Sequence, residues 1–140
     1  MVAEALSDKT AKETKSAIVS ISSSLAAGAS TTVELVAAVT GKKIVVTNIN
    51  HVQVKPVFPF GADMIGTTFK SGSDALTGEL FFSNNPADSG YEMTINTSYM
   101  PDGHFRTASG EALNLTITDK RSSGSSANTW IYGYINYYEE

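Results

Sequence analysis

The sequence contains no cysteine, so it can form neither a disulfide nor a thiolate metal site. Small secreted domains often depend on disulfides, and their absence favours folding in a reducing cytoplasm. Charge is also scarce, at 17% of 140 residues with a net charge of -4. A general nucleic-acid binder needs a basic stripe, and an anionic membrane attracts basic segments. The sequence therefore predicts neither nucleic acid nor membrane as a partner.

Long apolar runs are missing as well. No stretch reaches the length that is needed to span a bilayer. The first eight residues are acidic and lack the apolar segment of a signal peptide. We therefore expect a soluble protein that is made in the cytoplasm.

Catalytic and metal-binding motifs are absent too. The two histidines are His51 and His104, and one His beside Asp102 cannot fill a tetrahedral metal site. Serine is abundant, but no Gly-x-Ser-x-Gly elbow singles out a nucleophile. No phosphate loop or calcium loop is present. The sequence predicts no catalytic residue, no metal ligand and no cofactor, and hence no enzyme.

What the sequence does contain is a repeated two-residue alternation of apolar and polar side chains. Leu113, Leu115 and Ile117, for example, alternate with Asn114 and polar threonines. Such segments recur along the chain between turns rich in Gly, Asn, Asp and Pro, and no helical period separates them. This pattern is typical of an all-β sandwich or barrel. We predict an antiparallel β-sandwich, or jelly roll, over residues 25–140.

The N-terminal residues have a different composition. Up to about Lys15, Ala, Lys, Glu, Thr and Asp dominate, and Val2 and Leu6 are the large apolar residues. A weak period of two begins near Ala17. We predict that residues 1–24 form an extended or partly disordered arm. Two interpretations stay open: a disordered tail, or an arm that becomes ordered against a neighbouring subunit.

The last predicted strand is the richest in aromatic residues. One side of the alternation carries Trp130, Tyr132, Tyr134 and Tyr138. Aromatic side chains on one face are consistent with core packing, with a subunit interface or with a sugar-binding platform. Core packing or an interface is favoured, and these four residues are the candidate subunit-interface aromatics.

Several stretches resemble a pattern in small structural proteins of tailed bacteriophages. They are TGKKIVV at residues 40–46, FKSGSDALTG at 69–78, GHFRTASGEALNL at 103–115 and YINY at 134–137. The resemblance covers residues 31–140, apart from the serine-rich loop at 121–128. It is to β-sandwich virion proteins, most of all to jelly-roll capsid decoration (cement) proteins.

The resemblance implies a homotrimer that binds the outer surface of the phage head and bridges neighbouring major capsid proteins. On this hypothesis the arm reaches across the capsid, and its candidate contacts are Leu6, Lys9, Lys12, Lys15 and Ile18. The alternative is a tail fibre or receptor-binding domain that contacts a host surface glycan. A glycan-cleaving enzyme is a third and weaker alternative, because no pair of acids is indicated.

Overall fold

A computed structural model of the chain describes residues 12–57, 64–83, 93–121 and 127–140. Leu6 and Lys9 of the predicted arm lie outside these ranges. Within them, the chain forms ten strands: β1 Lys15–Leu25, β2 Ser30–Val36, β3 Ile44–Val57, β4 Met64–Ser71, β5 Asp74–Ala75, β6 Leu80–Ser83, β7 Met93–Ile95, β8 Phe105–Arg106, β9 Leu113–Asp119 and β10 Ala127–Glu139.

The strands form two antiparallel sheets. The front sheet has the order β1-β10-β3-β7, and β8 also pairs with β3. The back sheet has the order β2-β9-β4-β5, and β6 also pairs with β4. Since the short strands β7 and β8 share one partner, as do β5 and β6, each sheet is four positions wide. The predicted all-β sandwich is confirmed.

The strand order follows from rolling up one long antiparallel hairpin. β1 pairs with β10, β2 with β9, β3 with β7 and β8, and β4 with β5 and β6. Two further pairings, β3 with β10 and β4 with β9, join these ribbons into sheets. Eight strand positions wound into two facing sheets in this way make a jelly roll.

The core lies between the sheets and is built by the alternation that the sequence shows. In β9 every second residue is buried, beginning with Leu113, Leu115 and Ile117. Phe69 of the back sheet and Phe105 of the front sheet meet across the sandwich, with their ring centroids 5.0 Å apart. Burial of this apolar area is the main force that holds the two sheets together.

The first strand of the sandwich begins earlier in the chain than the predicted domain boundary. Residues 15–24, which the sequence analysis placed in the arm, form most of β1 in the front sheet. Val19 and Ile21 are buried in the core. These residues give β1 one apolar side. Burying that side requires a facing sheet, which explains why residues 15–24 belong to the sandwich.

Candidate interaction surface

The outer face of the front sheet carries exposed aromatic side chains. Trp130, Tyr132 and Tyr134 of β10 are 38%, 37% and 42% exposed. Ile131 and Ile135, which alternate with them, are buried in the core. The period of two therefore sends large side chains to both sides of this central strand.

The irregularities of the sheet leave this aromatic alternation intact. Tyr132 pairs with Gln53 and Tyr134 with Asn50, so one β10 residue, Gly133, faces two residues of β3. A second register shift, between Asn136 and Tyr137, likewise places the extra residue on β3. In both bulges the extra residue therefore belongs to β3, and β10 contains no extra residue. Gly133 has a φ of 150°, a conformation that favours glycine.

Strand β1 extends the aromatic surface on one side. In the β1–β10 register, Ile18 faces Tyr134, and Ser22 faces Trp130. Ile18 is 80% exposed and lies beside the exposed aromatic rings, so these side chains form one apolar patch. We call the surface formed by Ile18, Trp130, Tyr132 and Tyr134 the aromatic face. The rings of Trp130 and Tyr132 are 5.8 Å apart and tilted by 42°.

A network of amide side chains borders the aromatic face. Asn136 Nδ2 donates to Asn48 Oδ1 at 3.1 Å, and Ser16 Oγ donates to Asn136 Oδ1 at 2.8 Å. Asn48 and Asn50 bond to each other, and Asn48 Nδ2 also donates to a backbone carbonyl at 3.1 Å. These mutual bonds fix the amides in place beside Tyr134. The sequence pattern does not reveal this network, because the network joins residues 88 positions apart.

The fourth candidate aromatic, Tyr138, is 3% exposed. Lys12 covers it: the ammonium nitrogen lies 4.2 Å from the ring centroid and donates to the phenol oxygen at 2.8 Å. Tyr138 thus presents little surface to a partner, unlike the three aromatics before it in β10.

Two candidate arm lysines make ion pairs with the end of β10. Lys12 Nζ lies 3.2 Å from Glu140 Oε2, and Lys15 Nζ lies 2.9 Å from Glu139 Oε1. Arg106 Nη1 contacts the same Glu140 at 2.7 Å. The hydrogen bond from Lys12 lowers the pKa of Glu140, with Arg106 and Lys43 adding to the effect. Bonds to Tyr138 and Glu140 raise the pKa of Lys12, and the bond to Glu139 raises that of Lys15.

The outer face of the back sheet is chemically different. Its exposed positions pair hydroxyl with hydroxyl: Ser30 Oγ and Thr118 Oγ1 are 2.7 Å apart, and Thr32 Oγ1 and Thr116 Oγ1 are 2.8 Å apart. Strands β2 and β9, as far as the structure describes them, expose no large apolar side chain. Among the side chains that the structure describes, the outer face at β1 and β10 is therefore apolar and the outer face at β2 and β9 is polar.

The polar groups singled out as candidate chemistry are not brought together. His104 Nε2 donates to the backbone carbonyl of Ser98 at 2.8 Å, and Asp102 offers its backbone oxygen to Arg106. The side chain of His51 lies outside the described residues. No three His, Asp or Glu side chains in the described ranges form a group that could hold a metal ion. The described ranges also contain no helix that is long and apolar enough to cross a membrane.

The fold defines the chain as an antiparallel jelly-roll β-sandwich, and comparisons with known proteins add a remote likeness. No protein-family model matches the sequence. No curated protein matches it either. Among solved structures, the chain is similar to one in the structure of infectious bursal disease virus Gx strain, with 11% sequence identity and a TM-score of 0.44. The likeness covers 91% of this chain and 33% of that chain, so this chain spans a third of its length.

Proposed function

We propose that this protein is a structural virion protein that decorates the outer surface of a phage head. The observation that carries the proposal is the exposed apolar patch of Ile18, Trp130, Tyr132 and Tyr134 on the front sheet, set against the polar outer side chains of the described strands β2 and β9. Exposed apolar patches mark interaction sites, and aromatic residues are enriched in interface cores. Jelly rolls serve in viral capsids, which is a fold-level analogy in support. On this proposal the protein acts by binding and performs no chemistry.

The proposed partner is the major capsid protein. The aromatic face would lie against it, and the serine-rich strand β1 would contribute contacts that are polar without being ionic. Decoration proteins bridge neighbouring capsid subunits, so each copy adds modest contacts that multiply when copies are joined. The homotrimer implied by the sequence resemblance stays a prediction, as do the arm contacts of Leu6 and Lys9.

Binding to head particles that lack the protein tests the proposal. In the double variant Trp130→Ser, Tyr132→Ser, we expect affinity to fall by about a hundredfold or more, because aromatic anchors each contribute on the order of 2 kcal/mol to such interfaces. The matched control is the double variant Thr32→Ala, Thr116→Ala on the back sheet, which should bind as the parent does. Unchanged binding of the front variant would sink the proposal.

A second candidate function is a tail fibre or receptor-binding domain for a host glycan. The observation in its favour is that Tyr134 borders the amide network of Asn48, Asn50 and Asn136. Against it, the 42° tilt between Trp130 and Tyr132 breaks up a flat stacking platform. Copy number separates the two functions: hundreds of copies in each purified particle support decoration, and a handful support a tail component.

A further inference from the structure

The outer edge of β1 is open among the described residues. β1 pairs with β10 along its whole length, from Lys15 to Leu25, and no described strand lies on its other side. The backbone N–H and C=O groups on the free side of an edge strand are a template for another strand. Proteins normally block such edges with short strands, bulges, prolines or charges.

The other sheet edges in the described ranges are blocked in these ways. Edge strand β2 has seven residues, a register shift and the charged Glu34. Strands β5 and β6 have two and four residues. Strands β7 and β8 cover parts of the β3 edge. Between them the connecting segment covers it, because the N–H groups of Thr97, Met100 and His104 donate to β3 carbonyls. By contrast, β1 has eleven residues with no proline, no register shift against β10 and a charge only at Lys15.

We propose that the edge of β1 pairs antiparallel with β1 of a second copy of this chain, about a two-fold axis at Ser20. In this register all eleven residues of each strand overlap. Ser20 lies opposite Ser20, and Ile18 lies opposite Ser22, so the same patch serves both copies. The two front sheets become one continuous sheet.

The charge distribution favours a second copy as the occupant of this edge. Residues 16–33 contain no charged residue, so nothing repels an identical strand along the shared length. The two Lys15 residues lie at opposite ends, ten positions or about 34 Å apart. That distance is several times the screening length of about 8 Å at physiological salt.

The side chains on the outer face support the same register. Ser22 is the cross-strand neighbour of Trp130, so Ile18 of the second copy would lie next to the small Ser22 and one strand away from Trp130. Pairing thereby covers part of Ile18, the most exposed large aliphatic side chain among the described residues, and makes the two aromatic faces continuous. The contact depends on neither the capsid nor a glycan, so it stands or falls separately from the proposed function.

Sedimentation equilibrium of the full chain tests the pairing. We expect twice the chain mass of 14.8 kDa, in place of the three chain masses that the homotrimer implied by the sequence resemblance would give. Ser20→Lys and Ser20→Glu each place like charges directly opposite one another and should weaken the dimer more than about tenfold. Mixing the two variants should restore it as a heterodimer. Thr32→Lys, which adds the same charge to the back sheet, should leave the mass unchanged.

Cross-linking tests the register, and the absence of native cysteine makes it specific. Opposed residues on antiparallel strands have Cα atoms about 4.5–5.5 Å apart, which suits a disulfide. Ser20→Cys should therefore form a disulfide-linked dimer on mild oxidation, whereas Ser24→Cys should not. A monomer at all concentrations, a trimer that is insensitive to Ser20→Lys, or cross-linking at position 24 in place of 20 would each overturn the proposal. If the chain is a monomer and Ser20→Lys abolishes its binding to the capsid, the β1 edge pairs with the capsid protein and the proposed dimer is wrong.

Discussion

Ile18 and Ile135 are the same residue type on paired strands, and they have opposite surroundings. Ile135 is buried in the core, whereas Ile18 is 80% exposed. Ile135 faces Ala17, and Ile18 faces Tyr134, the neighbour of Ile135 in sequence. A single step along a strand reverses the face of a sheet, so position in the alternation decides which isoleucine stabilises the fold and which is available to a partner.

Truncating each isoleucine should separate these two roles. We expect Ile135→Ala to lower the free energy of unfolding by about 2–5 kcal/mol, because it leaves a cavity in the core. Ile18→Ala should change it by less than about 0.5 kcal/mol, as surface substitutions usually do. Urea denaturation at low protein concentration measures both. Equal losses from the two variants would refute the assignment of faces.

Part of the site could be predicted at the residue scale. The alternation places the aromatics of β10 on one side of the strand, but it left open whether that side is core or surface. The covering of Tyr138 by Lys12 could not be predicted, because the contact joins residues 126 positions apart. Ile18 was assigned to the arm for the same reason: the period of two near Ala17 is weak, and the pairing with β10 that makes it a strand is long-range.

At the scale of elements, regular strands were predictable and bulges were not. The alternation of β9 gave its buried side chains directly. The register shift in β2 between Glu34 and Val36 leaves no mark in the pattern, because it depends on how β9 pairs with it. The same holds for β3, whose two extra residues appear only when it is aligned with β10. A bulge is a property of two strands together, and one strand's sequence carries little trace of it.

The contact between the start of β1 and the end of β10 depends on charge and should respond to pH. Glu140 has a pKa lowered from 4.5 by Lys12, so its contribution to stability is present above pH 4.5 and is lost as the pH falls through the lowered pKa. Lys12 and Lys15 have pKa values raised from 10.5, so their contributions are present below pH 10.5 and are lost as the pH rises through the raised pKa values.

Thermal melting of Glu140→Gln against the parent chain measures the acid limb. We expect a lower Tm for the variant at pH 7, by a few degrees at most because the pair is partly exposed. The difference should shrink below pH 4.5, where the parent also loses the charge. A difference that persists unchanged at acid pH would contradict the role given to this carboxylate.

At the scale of the whole molecule, the local pattern predicts a sandwich but does not by itself distinguish the jelly-roll winding from other sandwiches. Alternating strands with frequent turns and no helical period leave few options besides two packed sheets or a barrel. The jelly-roll order requires that the first and last strands of the chain meet, as Lys15 and Tyr137 do. Local pattern cannot specify that pairing, because it carries no information on which distant strands become neighbours.

The winding also decides which surface is available to partners. Placing β10 between β1 and β3 puts its aromatic side in the middle of the front sheet, with Ile18 beside it. Threonine pairs such as Thr32 and Thr116 occupy the corresponding middle of the back sheet. Among the described side chains, the outer face at β1 and β10 is thus apolar and the outer face at β2 and β9 is polar, and this difference is the basis of the proposed binding role.

The most direct test of that role uses Trp130, the single tryptophan of the chain. Chain made with 5-hydroxytryptophan can be excited selectively in the presence of capsid proteins, so its emission reports on the aromatic face alone. On binding to undecorated heads, the account predicts emission at shorter wavelength and reduced quenching by acrylamide. Emission and quenching that stay as they are in the free chain, while the protein is bound, would contradict it.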